Sequence, residues 1–295
     1  MSENIPPTYL STKNAHPRDQ YITFEEKTHV YTVKGEQGYT SVTTFNHHHF
    51  AQFDADAIID KIVSGKNWND PTYKYYKMTK QQIRDLWNAN GKSASSMGTK
   101  MHYDIECFMN QELVDENDQP INTTHDWLDQ MYRQELEEGI PQANNSTEWQ
   151  YFIEYVRAHP DFKPYRTEWF VYDEELKLAG SIDMVYENPD GSLMIYDWKR
   201  SKEIKYEDPF GKSAITKCIR HLPDTNFWHY SLQLNTYKAI LEKNYGKKIT
   251  DLYLVILHPD NANKTYELVK CADLSKEVAD LFQNRKMDLE KNTSH

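Results

Sequence analysis

The stretch from Thr167 to Lys199 constrains the fold more than any other part of the chain. Residues 167–172 (TEWFVY), 178–187 (LAGSIDMVYE) and 193–199 (LMIYDWK) are crowded with aromatic and β-branched side chains, which suit a pleated, half-buried surface. Asn188-Pro189-Asp190-Gly191 between the last two runs is turn chemistry, because proline presets one backbone angle and glycine accepts positive φ. Strands joined by such short links pair antiparallel, so a meander is predicted here. A helix from about Asn226 to Tyr245, stopped by Gly246, and an apolar strand at 252–257 (LYLVIL) extend the order to strands, helix, strand. Covered by helices, that order gives an α/β or α+β fold.

The N-terminal half reads differently. Residues 21–24 and 29–33 alternate around a charged turn and predict a hairpin. Helical spacing runs from Phe53 to Asn90, broken at 64–72 by a loop with Gly65 and Pro71. Further helices are predicted over 98–110, 125–138 and 146–158, the last opened by a capping box of Asn145 and Glu148. We read a hairpin-and-helix elaboration over 1–94 and a core over 95–295 that ends in a strand and a helix. Trp68, Tyr73, Tyr75, Tyr76 and Trp87 give the elaboration two readings, a cover over a substrate path that stacks on bases or aromatic helices that simply build core.

Only 38 % of residues are apolar, but 11 Phe, 7 Trp and 21 Tyr supply a core that disordered chains lack. No run reaches the roughly 18 apolar residues of a membrane helix, and the start, MSENIPPTYL, shows no export signal, so no membrane association is expected. Cys107, Cys218 and Cys271 are far apart with no CxxC, which supports neither a disulfide framework nor a thiolate metal site. An intracellular, reducing compartment, cytoplasm or nucleus, is the expectation. A net charge of −11 argues against general coating of nucleic acid. Residues 199–220 nevertheless hold seven basic residues against three acidic ones, a confined patch that could draw in a phosphate backbone. The run His47, His48, His49 cannot turn three imidazoles to one metal in regular structure and is read as an exposed or loop segment.

The chemistry is expected at the end of the meander. Asp197 and Lys199 are two apart on one strand and share a face, while Trp198 turns into packing. Asp183 on the neighbouring strand can converge on them. Two carboxylates give hard oxygen ligands for Mg²⁺ or Mn²⁺, and a lysine beside them can orient or deprotonate a water and offset phosphate charge. These are the parts for metal-dependent phosphodiester hydrolysis.

With these residues in order, the sequence resembles the PD-(D/E)xK nuclease superfamily, in particular its RecB-like exonuclease branch, which includes the CRISPR-associated and mitochondrial genome maintenance exonucleases. Gly180-Ser181-Ile182-Asp183 and Ile195-Tyr196-Asp197-Trp198-Lys199 carry the core of the match. Gly98-Thr99-Lys100-Met101-His102-Tyr103-Asp104-Ile105-Glu106 resembles the family's GTxxHxxxE helix, and Gln233-Leu234-Asn235-Thr236-Tyr237 its QxxxY motif. Glu168 is a looser match to an acidic position. The resemblance implies a restriction-endonuclease-like core, a central mixed sheet flanked by helices. It implies metal ligation by His102, Asp183, Asp197 and the Trp198 carbonyl, with Lys199 serving the water and Glu106 and Glu168 as nearby acidic groups. Gln233 and Tyr237 would hold DNA, and Arg200, Ser201 and Lys202 would contact phosphates. The cysteines of iron–sulfur members are missing, so no cluster is expected. The implied activity is a DNA exonuclease that prefers free ends and single strands, in replication, recombination or repair, and a viral setting is compatible with it. A structure-specific endonuclease with the same site, or a non-catalytic binding protein on the same fold, are the alternatives.

Overall fold

The computed structural model describes residues 6–111 and 145–293. In chain order these form α1 (Tyr9–Lys13), β1 (Ile22–Glu25), β2 (Val30–Val33), β3 (Thr40–Ser41), α2 (Val42–His47), α3 (Ala55–Ser64), α4 (Lys80–Met109), α5 (Thr147–Ala158), β4 (Lys163–Asp173), β5 (Leu178–Glu187), β6 (Leu193–Lys199), α6 (Asn226–Tyr245), β7 (Ile249–Ile256), β8 (Glu267–Lys270) and α7 (Ser275–Thr293). The helix predicted over 125–138 lies outside the described residues.

β4, β5 and β6 are the antiparallel meander, and the main sheet continues through β7, parallel to β6, to β8. β1 and β2 form a separate antiparallel hairpin. The two faces of the sheet separate by the period-2 rule. Val185, Ile195, Leu254 and Ile256 face one core with α2, α6 and α7. Their neighbours Met184, Tyr186, Tyr196, Trp198 and Val255 face another, with α5 and the last turns of α4. A mixed sheet flanked by helices results. α6 is buried on most sides between the sheet and its neighbours, and Gly246 closes it in the left-handed conformation at φ 62°.

Two local expectations are corrected. The predicted break between helices ending at Asn90 and starting at residue 98 is absent: α4 is one helix of 30 residues. Gly91 and Gly98 each cost about 1 kcal/mol relative to alanine, but no proline follows them, and a helix already nucleated by a full Thr79/Gln82 capping box propagates through. The cap of α5 is Ser146, whose hydroxyl accepts from the Trp149 N–H at 3.1 Å, not Asn145. Glu148 is drawn instead to Arg200, 2.7 Å away.

Candidate active site

The site lies where β5 and β6 part. Their ladder runs from Glu187 and Leu193 to Met184 and Tyr196 and stops. β4 fills one edge of β5 from Leu178 to Glu187, so β3, which pairs with Leu178 and Ala179, takes up the edge that β6 leaves. Between the two, residues 180–183 have no ladder partner on that side. Asp183 bridges the opening with its side chain, Oδ2 accepting the Trp198 N–H at 3.1 Å. β6 itself stays in register with β7 out to Lys199 and Ile256, which fixes Asp197 and Lys199 on a stiff strand.

Asp197 is 2 % exposed, and its Oδ2 lies 2.6 Å from Lys199 Nζ. Lys199 also sits over the Tyr230 ring at 4.7 Å. Burial alone would lower the lysine's pKa, but the Asp197 and Asp183 carboxylates outweigh it and hold the ammonium protonated. From α4, His102 donates through Nε2 to the Trp198 carbonyl at 2.9 Å. Its Nδ1 lies 3.6 Å from Asp183 Oδ2 and 3.7 Å from Glu168 Oε1. Burial pulls the imidazole pKa down, yet Asp183 and Glu168 prevail and raise it to about 9. Asp183 is pushed up to about 7, first by burial and then by Asp197. Glu106, one turn along α4, also rises to about 7 through burial and the neighbouring Glu168.

Glu168 has a backbone that sequence does not announce. It stands opposite Asp183 within β4 at φ 41°, a left-handed angle for a non-glycine residue in a strand. Such a conformation costs on the order of 1–3 kcal/mol and persists only where its surroundings enforce it. Here the carboxylate accepts from Ser181 Oγ at 2.7 Å. Burial would raise its pKa, but the facing His102 imidazole and the Ser181 hydroxyl lower it, so the group is held as an anion.

One ligand atom from each of His102, Glu168 and Asp183 falls within 4.8 Å of the others. Three carboxylates, Glu168, Asp183 and Asp197, face one ammonium once His102 is neutral, leaving excess negative charge in a half-buried pocket. Hard oxygens with a single imidazole suit Mg²⁺ or Mn²⁺ better than soft-ligand metals. The donor set therefore fits a divalent cation. It differs from the expected one in membership: Glu168 stands in the trio, Asp197 is held by Lys199, and the Trp198 carbonyl accepts from His102.

The other predicted residues divide. Tyr237 is 3 % exposed and packs on Gly180, where an added Cβ would come within 2.8 Å of its ring and hydroxyl. It thus supports β5 from beneath and presents no surface to DNA, whereas Gln233, a turn earlier, is partly exposed. Arg200 is tied to Glu148, and Ser201 Oγ donates to the Glu203 carbonyl at 3.0 Å. Lys202 is exposed, 3.3 Å from Asp260. His47 and His48 are exposed, and His49 meets Thr216 Oγ1 at 2.9 Å. Sequence reasoning missed Ser181 as the fixer of Glu168, and Tyr230. The Gly-Ser-Ile-Asp segment carried the first, since a serine two before Asp183 shares its strand face.

The family model of the PD-(D/E)XK nuclease superfamily matches residues 69–293, about three-quarters of the chain. The chain belongs to this superfamily. It is a nuclease, a hydrolase whose substrate is nucleic acid, in a family that uses divalent metals. No curated protein matches the chain. Among the described residues of this nuclease no helix is long and apolar enough to cross a membrane.

Proposed function

We propose that this nuclease is a Mg²⁺- or Mn²⁺-dependent deoxyribonuclease that works from DNA ends, prefers single strands and serves replication, recombination or repair, as in the RecB-like branch. The observation that carries the reading is the convergence of His102, Glu168, Asp183, Asp197 and Lys199 at the parting of β5 and β6. His102, Asp183 and Glu168 would hold the cation, with Asp197 adjoining. When bound, that ion supplies Lewis acidity at the phosphate and lowers the pKa of water.

The chain's own residues do the rest. Without metal the Asp197 and Asp183 carboxylates hold Lys199 protonated, a state suited to orienting the attacking water and offsetting phosphate charge. Asp197 fixes the ammonium's direction. Ser181 locks Glu168 and Tyr237 props β5, so both act through the position of the carboxylates. The exposed lysines at 202, 205 and 212 and the 85 % exposed Phe210 follow directly from the catalytic strand and offer a strand of DNA both charge and a stacking face.

End-labelled linear DNA and the same sequence closed into a circle, single- and double-stranded, digested with Mg²⁺, Mn²⁺ or EDTA, test the reading. Metal-dependent loss of linear single strands with circles spared is expected. Cleavage of circles at the same rate would make it an endonuclease, and binding without turnover would leave a non-catalytic protein.

A further inference from the structure

Beside the carboxylates lies a cavity of about 510 Å³ that the chemistry above does not use. Its apolar wall comes from the hairpin and β4: Ile22, Phe24, Tyr31 and Phe170. The three rings pack together at an angle, Phe24 and Tyr31 with centroids 4.5 Å apart and tilted by 35°, and Phe170 at 5.9 and 6.1 Å from them and edge-on to Tyr31. Glu168 and Ser181, both members of the site, form its inner wall. A second groove of about 460 Å³ along α4, past Gly98, Thr99 and His102, shares Glu106 and Glu168 with it, so the two adjoin at the site.

The electrostatics decide what could enter. The cavity is bordered by Asp19, Glu26, Glu106 and Glu168. Its one cation, among the described residues that line it, is Arg166, which is 5 % exposed and already bound to Asp19 Oδ2 at 2.7 Å. A phosphate is therefore repelled. A neutral, flat group with apolar faces and N–H groups at its edge is matched on both counts, by the rings and by the carboxylates that accept hydrogen bonds. A group of that kind, one sugar away from a phosphate at the site, is a nucleobase.

We infer that this cavity receives the base of the terminal nucleotide next to the scissile phosphate, packed among Phe24, Tyr31 and Phe170, while the backbone stays outside. The inference rests on the nuclease reading and adds to it where the end of the strand goes. It makes the hairpin, which precedes the matched family region, part of substrate recognition.

The full chain is mixed in Ca²⁺ with an oligonucleotide carrying 2-aminopurine at one terminus or the other, and cleavage in Mn²⁺ is compared for oligonucleotides with an intact or an abasic terminal nucleotide. Two variants accompany it. Phe24→Leu removes a ring, and Thr8→Trp, at an exposed position on the rim, obstructs the cavity's mouth without touching the core. Quenching at one terminus is expected, lost in both variants. An abasic end should slow cleavage about tenfold, the scale of one stacked base, and that ratio should approach one in the variants. Absence of quenching at either end, or quenching and an abasic penalty that survive both variants, overturns the inference. If the chain leaves all DNA uncut in Mn²⁺, the nuclease reading fails, and the quenching still decides the cavity.

Discussion

Metal binding should expel protons, because the groups that would hold the cation carry them at neutral pH. A cation must meet a neutral imidazole and ionised carboxylates. With its pKa near 9, His102 is about 99 % protonated at pH 7, and Asp183, near 7, is about half protonated. Binding of Mn²⁺ at pH 7 should therefore release about one proton from His102 and about half of one from Asp183. With both groups titrating, apparent affinity should rise about 50-fold from pH 6 to 7 and about 15-fold from pH 7 to 8, and level off above about 9. The sign for stability runs the other way. A histidine whose folded pKa lies above its unfolded 6.5 stabilises the metal-free fold below pH 6.5, and that contribution fades as pH rises through about 9. Metal-free protein should lose this contribution in the range where metal restores most. Calorimetric titration with Mn²⁺ in buffers of different ionisation enthalpy counts the protons, and His102→Ala should lower the count by about one. A pH-independent affinity with no proton release would refute the reasoning.

Three further outcomes follow from particular contacts. Gly180→Ala should cost about 1–3 kcal/mol in denaturant unfolding, since its Cβ would lie 2.8 Å from the Tyr237 ring, and Tyr237→Leu in the same chain should recover part of it. Arg200→Ala should destabilise by about 3 kcal/mol by leaving the nearly buried Glu148 carboxylate unpaired, and Glu148→Gln should relieve it. DNA affinity measured in Ca²⁺ should fall steeply with salt, and Lys205→Glu or Lys212→Glu should each lower the slope of log affinity against log salt by about one.

Much of the frame was legible because its signals are local. β5, β6 and α6 fall where alternation, a proline-glycine turn and a terminal glycine place them. Asp197 and Lys199 share a face for the same reason, since strand period alone dictates it. What was not legible depends on distant partners. The left-handed backbone of Glu168 accompanies a hydrogen bond from Ser181, thirteen residues on. Arg200 looked like a free cation because Glu148 lies 52 residues away. Tyr237 looked like a DNA contact because spacing says which residues share a helix face, and the depth of that face is set by how closely α6 approaches Gly180. The helices predicted to end at Asn90 and to start at residue 98 are one, because a long, well-capped helix absorbs the cost of Gly91 and Gly98.

The central claim is that the buried Asp197 and its neighbours hydrolyse DNA with a divalent metal. Single-turnover cleavage of an end-labelled single strand in Mn²⁺, wild type against Asp197→Asn, tests it most directly, since the amide keeps the shape of a side chain 2 % exposed while removing its charge and one acceptor oxygen. With unfolding midpoints within a few degrees of each other, the variant should lose on the order of a thousandfold in rate, the scale on which fixed electrostatic groups act in catalysis. Cleavage by a folded Asp197→Asn protein within a few fold of wild type would contradict the account.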